Sequence, residues 1–217
     1  MLAKKSEIAK QDYILVGERY IISKNNESSW PLVRLGDYCN IFVGGTPSKQ
    51  EPSFWENGTI KWISSKYIND DGHITNYDMI TEKAVRSSAT KIAPPQSTIL
   101  VTRVSVGKKA YTDDYYAINQ DMTCLVPDKH IIPKYLFFVS SYLTQLVERD
   151  AQGIGVRGVT QKYVSELQIP LPPLSIQEEI VAEIEKHQKA ISEYHKKIDE
   201  EKQQIKYKIA EVWGEGN

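Results

Sequence analysis

The sequence is poor in the features that announce most biochemical classes. Among its 217 residues there are two cysteines, Cys39 and Cys124. Two isolated thiols make neither a zinc knuckle nor a disulfide framework, and they fit a reducing cytoplasm. The four histidines, His73, His130, His187 and His195, lack metal-ligand spacing, so neither metal nor cofactor is expected. No apolar run reaches the roughly 18 residues of a membrane span, and no membrane partner is expected. The opening MLAKKSEIAKQ has no apolar core behind its lysines and does not read as a secretory signal, so the expected location is cytoplasmic. Catalytic motifs are missing as well: there is no GxSxG, no Walker A motif and no NPPY or DPPY. The neighbouring carboxylates Asp113-Asp114 and Glu200-Glu201 cannot converge on one substrate atom as a nuclease or glycosidase requires. Residues 153–158 spell GxGxxG, but they follow a helical pattern rather than a strand and make no dinucleotide fingerprint. The expectation is a non-catalytic protein.

What is present is an ordinary globular composition, 41% hydrophobic and 25% charged, in a chain long enough to bury a core without staples. The net charge of −1 is uninformative, but its distribution is not. Residues 176–217 carry ten acids and seven bases. Residues 83–112 carry six bases, Lys83, Arg86, Lys91, Arg103, Lys108 and Lys109, and no acid, while residues 151–165 carry Arg157 and Lys162 and no acid. A local field of one sign matters more to an anionic partner than the total does.

Residues 1–29 are polar and end in a linker-like KNNESS. From Trp30 to Pro173, short β-branched runs alternate with turn residues, with candidate strands at Thr59–Ile63, Thr98–Arg103 and Met122–Val126. One helix opens at Pro133, with Leu136, Val139, Leu143, Leu146 and Val147 at helical spacing and Gly153 beyond its end. The pattern predicts a strand-rich α+β domain followed by one long C-terminal coiled-coil helix. Ser175 and Glu178 spell a capping box, and no Gly or Pro interrupts the chain before Gly214. A helix from Ile176 to Trp213 would run about 57 Å. Ile184, Ile191, Ile198, Ile205 and Val212 recur every seven residues, while the intervening positions Ile180, His187, Tyr194, Glu201 and Lys208 turn polar. The seam predicts a left-handed coiled coil. Its polar half fits an antiparallel partner with its own pattern or a solvated half-seam. Ile180, Ile184, Ile191, Tyr194, Ile198, Ile205 and Val212 are the candidate dimerisation residues.

Several motifs, in order, resemble one family. Trp30-Pro31-Leu32-Val33-Arg34-Leu35-Gly36-Asp37 resembles the WxxxxLGD opening of a target recognition domain in the specificity subunit of type I restriction–modification systems. Gly44-Gly45-Thr46-Pro47-Ser48 resembles the GGTPS that follows, and Lys61-Trp62-Ile63 the next tryptophan strand. Gly158-Val159-Thr160-Gln161, Ile169-Pro170-Leu171-Pro172-Pro173-Leu174 and Gln177 resemble the GxTQ and IPLPPLxEQ signatures leading into the family's long helix. The resemblance implies a non-catalytic subunit that reads double-stranded DNA at a split site and directs an adenine methyltransferase, joined in full systems by a restriction and translocase subunit. Ordinary members hold two recognition domains and two antiparallel helices. This sequence has one of each, which implies a half subunit: an extension at 1–29, a recognition domain at 30–173 and a dimerisation helix at 174–217, with a second half subunit as partner. Ile8 to Leu15 and Gly17 to Ile21 resemble the methyltransferase subunit's C-terminal tail, so the chain reads as part of a methyltransferase–specificity fusion, as a stand-alone half subunit keeping that tail, or as carrying an unrelated extension. The reading competing with all of these is a coiled-coil assembly protein whose globular domain binds another protein.

Within the recognition reading, Arg103 and Arg157 are expected to contact bases, since guanidinium groups read guanine edges, and Lys108, Lys109 and Lys162 to hold phosphate. Thr160 and Gln161 belong to the same glycine-rich loop. Lys61, Lys66 and Arg86 complete the expected DNA-facing set.

Overall fold

The computed structural model describes residues 29–151 and 158–213. The N-terminal extension up to residue 28, Gly153 and Arg157 therefore lie outside the described residues. In chain order the elements are β1 (Leu32–Arg34), α1 (Leu35–Tyr38), β2 (Cys39–Val43), β3 (Ile60–Ile63), β4 (Asp78–Ile80), α2 (Glu82–Ser87), β5 (Lys91–Ala93), β6 (Thr98–Val101), β7 (Lys109–Tyr111), β8 (Tyr116–Ile118), β9 (Met122–Pro127), α3 (Pro133–Asp150), α4 (Gln161–Glu166), β10 (Gln168–Pro170) and α5 (Leu174–Val212). The expected strands and α3 form close to where the sequence placed them, and the architecture is the strand-rich domain plus long helix that the pattern predicts.

Two four-stranded sheets, ordered β2-β9-β6-β7 and β4-β3-β8-β5, make the domain. Every strand pair is antiparallel except β3 with β8. Side chains of a strand point alternately to opposite faces, and both faces of the first sheet are covered. Leu100 and Leu125 join Leu136, Leu143 and Val147 of α3 in one core. Ile99, Val101, Met122 and Cys124 join Ile63 and Ile118 of the second sheet in another. Each fully buried aliphatic side chain contributes roughly 1.5–3 kcal/mol, which is why these strands read as continuous apolar runs rather than alternating ones. The glycine pair works at the crossing between the sheets. A Cβ on Gly44 would sit 2.1 Å from the Ile118 carbonyl oxygen and one on Gly45 2.5 Å from the Ala89 backbone, so only glycine lets β2 leave its sheet there.

The third sheet is small: β1 pairs antiparallel with β10, Leu32 opposite Pro170. It brings the start of the domain to the point where α5 leaves it. The capping box does not form. Helix α5 begins at Leu174 with Pro173 as its N-cap and no side-chain cap, because the amides of Ile176 and Gln177 both close on the Pro173 carbonyl and take Ser175 inside the first turn. Gln177 is fully buried. Its Oε1 accepts from the Ile132 amide at 2.8 Å, and its Nε2 donates to the carbonyls of His130 at 3.0 Å and Pro172 at 2.9 Å. Ile180 and Val181 pack against the α3 core, and Lys134 pairs with Glu185. Past that point the 39-residue helix leaves its domain, and Ile191, Ile198, Ile205 and Val212 are 53%, 48%, 61% and 80% exposed.

Candidate nucleic-acid interface

The β6–β7 hairpin carries Arg103 and organises one edge of the domain. Its loop is closed by the Val101 amide on the Lys108 carbonyl at 2.8 Å and by the Gly107 amide on the Val101 carbonyl at 3.4 Å, with Gly107 at φ +98°. At the root, Thr102 is buried and its hydroxyl pairs with that of Thr123 at 3.0 Å. The amides of Thr102 and Arg103 both donate to the Asp121 carbonyl, at 2.8 and 3.2 Å. Asp121 belongs to the β8–β9 turn, fixed by Asn119 and Asp121 bonding each other through side chains and backbone. On the other side, Arg103 makes an isolated bridge to Gly158, and the Val159 amide donates to the Thr102 carbonyl at 2.9 Å. A Cβ on Gly158 would lie 2.7 Å from Arg103 Cγ, so glycine is what lets the 158–162 segment lie on the hairpin. The glycine-pair loop joins through Thr46, whose hydroxyl donates to Gln120, and the Gly44 amide on the Met122 carbonyl. Segments that sequence reading treated separately thus meet at one end of the sheets.

Arg103 is exposed there, with no side-chain hydrogen bond or ion pair among the described residues. Lys162 is nearby in sequence on α4, its side chain 84% exposed and 4.0 Å from Glu166. Thr160 and Gln161 serve this edge structurally: Thr160 caps α4 by accepting from the Tyr163 amide at 3.1 Å, and Gln161 Nε2 donates to the Ile41 carbonyl at 2.8 Å.

The other expected cations are engaged elsewhere. Lys109 turns inward. It shares with Tyr111 the face of β7 that α3 covers, donates to the Phe137 carbonyl and to Ser141 Oγ, and sits 4.0 Å from the centre of the Phe137 ring. Burial pushes its amine down to about 8. The amine expected to hold phosphate is thus engaged within the domain. Lys108 donates to the Ile68 carbonyl at 3.0 Å and lies 3.4 Å from Asp70. Arg86 pairs with Glu82 at 3.0 Å one turn away on α2. Lys66 stands over the Tyr67 ring, 3.8 Å from Asp78. Lys61 contacts Asp114 at 2.7 Å between the rings of Tyr77 and Tyr116, and this hydrogen bond raises its pKa. Acid-free stretches of sequence are therefore not acid-free surfaces, because Glu51, Glu82 and Asp70, all outside the 83–112 stretch, reach its Lys83, Arg86 and Lys108. Sequence reading also missed Gln120, and it gave Thr46 only as part of a motif, because their mutual contact joins positions 74 residues apart.

On α5, Ile184 is half-buried and Ile191, Tyr194, Ile198, Ile205 and Val212 form an exposed stripe. Near its end the stripe drifts: Lys208 takes the seam position and Ile209, 55% exposed, the apolar one. Ile180 faces its own domain. Among the described residues no group of His, Cys, Asp and Glu could hold a metal ion, and no helix is long and apolar enough to cross a membrane.

Comparison with known proteins agrees with this geometry. Residues 27–204 match the model of the type I restriction modification DNA specificity domain. The chain is 31% identical over 191 residues to the specificity subunit of the type I restriction enzyme EcoR124I/EcoR124II of Escherichia coli, covering 85% of this chain and 47% of that one. It therefore spans about half the length of that relative. Among solved structures, a chain from a study of complex assembly and conformational transition of the type I R-M system superposes with a TM-score of 0.67 at 22% identity, over 93% of this chain and 48% of that one. The HsdS subunit of Thermoanaerobacter tengcongensis superposes at 0.61 and 21% identity, over 79% and 40%. At these identities the superpositions establish the fold, and the family match over both domain and helix establishes the lineage: the chain belongs to the type I restriction modification DNA specificity domain family.

Proposed function

We propose that this chain is a DNA-sequence-recognition module of a type I restriction–modification system. In this reading it does no chemistry itself. It directs an adenine methyltransferase subunit, and a restriction subunit where one is present, to a split site in double-stranded DNA. The observation that carries the reading is a family match that runs from residue 27 to residue 204, through the globular domain and most of α5. The edge formed by Arg103, the 158–162 segment and the β8–β9 turn supplies the reading surface, with Arg103 toward bases and Lys162 toward phosphate.

Helix α5 supplies the second half of the site by pairing with another half subunit, and the unpartnered stripe from Ile191 to Val212 supports this role. Two identical copies related by a two-fold axis would read the same half-site on each strand, giving an interrupted palindrome. The helix limits the separation of the domains to about 58 Å, or roughly 17 base pairs. The test is duplex binding by the chain with its methyltransferase across a salt series. Displacing counterions from Z phosphates makes log K fall with log salt at a slope of about −0.9Z. A steep slope is expected; salt-independent association, or none, would contradict the reading and favour a protein-binding module.

A further inference from the structure

At the tip of the β6–β7 hairpin, Val104 combines two features that rarely occur together. Its φ is +62°, and it is 60% exposed. For a β-branched residue the left-handed region is a genuine outlier, since the Cβ crowds the following carbonyl, and such a conformation is strained. The other non-glycine residues with positive φ among those described, Asn57 and Gln96, are not β-branched. Packing does not compensate at Val104, because its side chain joins none of the buried clusters.

The conformation persists because the frame around it is fixed. Thr102 and Arg103 are tied to Asp121, Val159 is tied to Thr102, and Gly107 and Lys108 are tied back to Val101. Held this way, an isopropyl group is raised into solvent immediately beside the exposed Arg103 and Ser105. Strained residues cluster at ligand clamps and other functional sites, and here no packing within the chain accounts for the strain.

The chemistry of the tip selects the partner group. A two-stranded β-ribbon fits the major groove, where a guanidinium can take a guanine edge and an apolar group meets the one apolar feature of the base edges, the C5-methyl of thymine. A wedge between base steps is the alternative use of an apolar side chain on DNA, but that is work for longer residues such as Phe, Leu, Ile or Met. We propose that Val104 is a specificity-determining residue that reads a thymine methyl group next to the base contacted by Arg103. This inference rests on the DNA-reading function proposed above.

The test uses the full chain with its methyltransferase and a duplex carrying the motif that methylation mapping assigns to it, beside a scrambled duplex. Each thymine of the motif is replaced in turn by deoxyuridine, which removes only the methyl group. At one position the wild type is expected to lose about fourfold in affinity, the worth of one buried methyl, Val104→Gly to lose nothing there, and Val104→Ala, which keeps one methyl, to lose less than the wild type. Val104→Gly should also melt at or above the wild-type temperature, because glycine accepts the conformation; a merely structural valine would lower it. If every deoxyuridine affects wild type and variants alike, or if the motif contains no thymine, the inference is overturned while the DNA-reading function stands. If the wild type does not prefer the motif over the scrambled duplex, it is the DNA-reading function that fails.

Discussion

Replacing Gln177 with leucine keeps the volume of the side chain and deletes all of its hydrogen bonds. The Ile132 amide and the carbonyls of His130 and Pro172 would then be left without the partners they now have at 2.8, 3.0 and 2.9 Å, in a place where Gln177 is fully buried. Each stranded group costs about 1–3 kcal/mol. Relaxation lets part of the set reach water, so the sum is on the order of 3–5 kcal/mol, or a fall in Tm of about 10 °C for a domain of this size. Gln177→Glu is the sharper probe. Its first oxygen can still accept from Ile132, but its second faces two carbonyl oxygens, and a buried carboxylate there is unpaired. Protonation restores one donor, so this variant should be less stable at pH 7 than at pH 5, the reverse of an ordinary salt-bridged carboxylate. Thermal unfolding followed by circular dichroism at both pH values measures this. The same variants should broaden the distance distribution between spin labels at Glu56 and Lys206, since the clamp fixes the first turn of α5 to the loop ahead of α3. Wild-type melting of Gln177→Leu together with an unchanged distribution would refute the claim that this amide sets the direction of the helix.

Other perturbations separate the parts of the molecule. Ile191→Asp with Ile198→Asp places charges in the exposed stripe of α5 and should abolish dimers by light scattering while leaving the domain's melting temperature within about 1 °C, because exposed sites contribute little to monomer stability. Lys162→Ala should weaken binding to all duplexes and reduce the salt slope by about 1, and Arg103→Ala should relax sequence preference; Lys109→Ala should lower stability without changing the salt slope, because its amine is bonded inside the fold. Burial pushes the thiols of Cys39 and Cys124 and the phenol of Tyr135 up to about 12. The folded chain therefore holds protons that the unfolded chain has already lost, and stability should fall as pH rises from roughly 9. Tyr135→Phe should flatten that fall above about pH 10, and it should cost about 1–3 kcal/mol through the lost 2.8 Å bond to the Pro170 carbonyl, measured by urea denaturation across the pH range.

The elements whose cause is local were legible. β-branched runs marked β3, β6 and β9, the spacing from Leu136 to Val147 marked α3, and the uninterrupted stretch after Pro173 marked α5. What failed was whatever depends on non-local neighbours. Ser175 and Glu178 satisfy a capping pattern, yet the buried Gln177 amide and the Pro173 carbonyl decide the first turn instead. Lys109 looked like a free cation because its partners on α3 are 28 and 32 residues away. The glycine pair at 44–45 carries a motif, but its reason is the Ile118 carbonyl and the Ala89 backbone, supplied by other parts of the fold. Thr160 and Gln161 were singled out for DNA from their place in a glycine-rich loop, and nothing local announced that Thr160 caps α4 and Gln161 bonds the Ile41 carbonyl. The exposure of Arg103 was legible because a strand end followed by a turn is where a side chain is both positioned and exposed.

The most direct test is to map methylated adenines genome-wide in cells that express the methyltransferase with this chain, against cells that express the methyltransferase alone. A sequence motif that appears only when the chain is present is expected, and for a self-paired chain it should be a palindrome interrupted by a spacer, with its methylated positions within roughly 17 base pairs. An asymmetric motif would contradict self-pairing. Methylation that is the same with and without the chain would contradict its role as the reader of the DNA sequence.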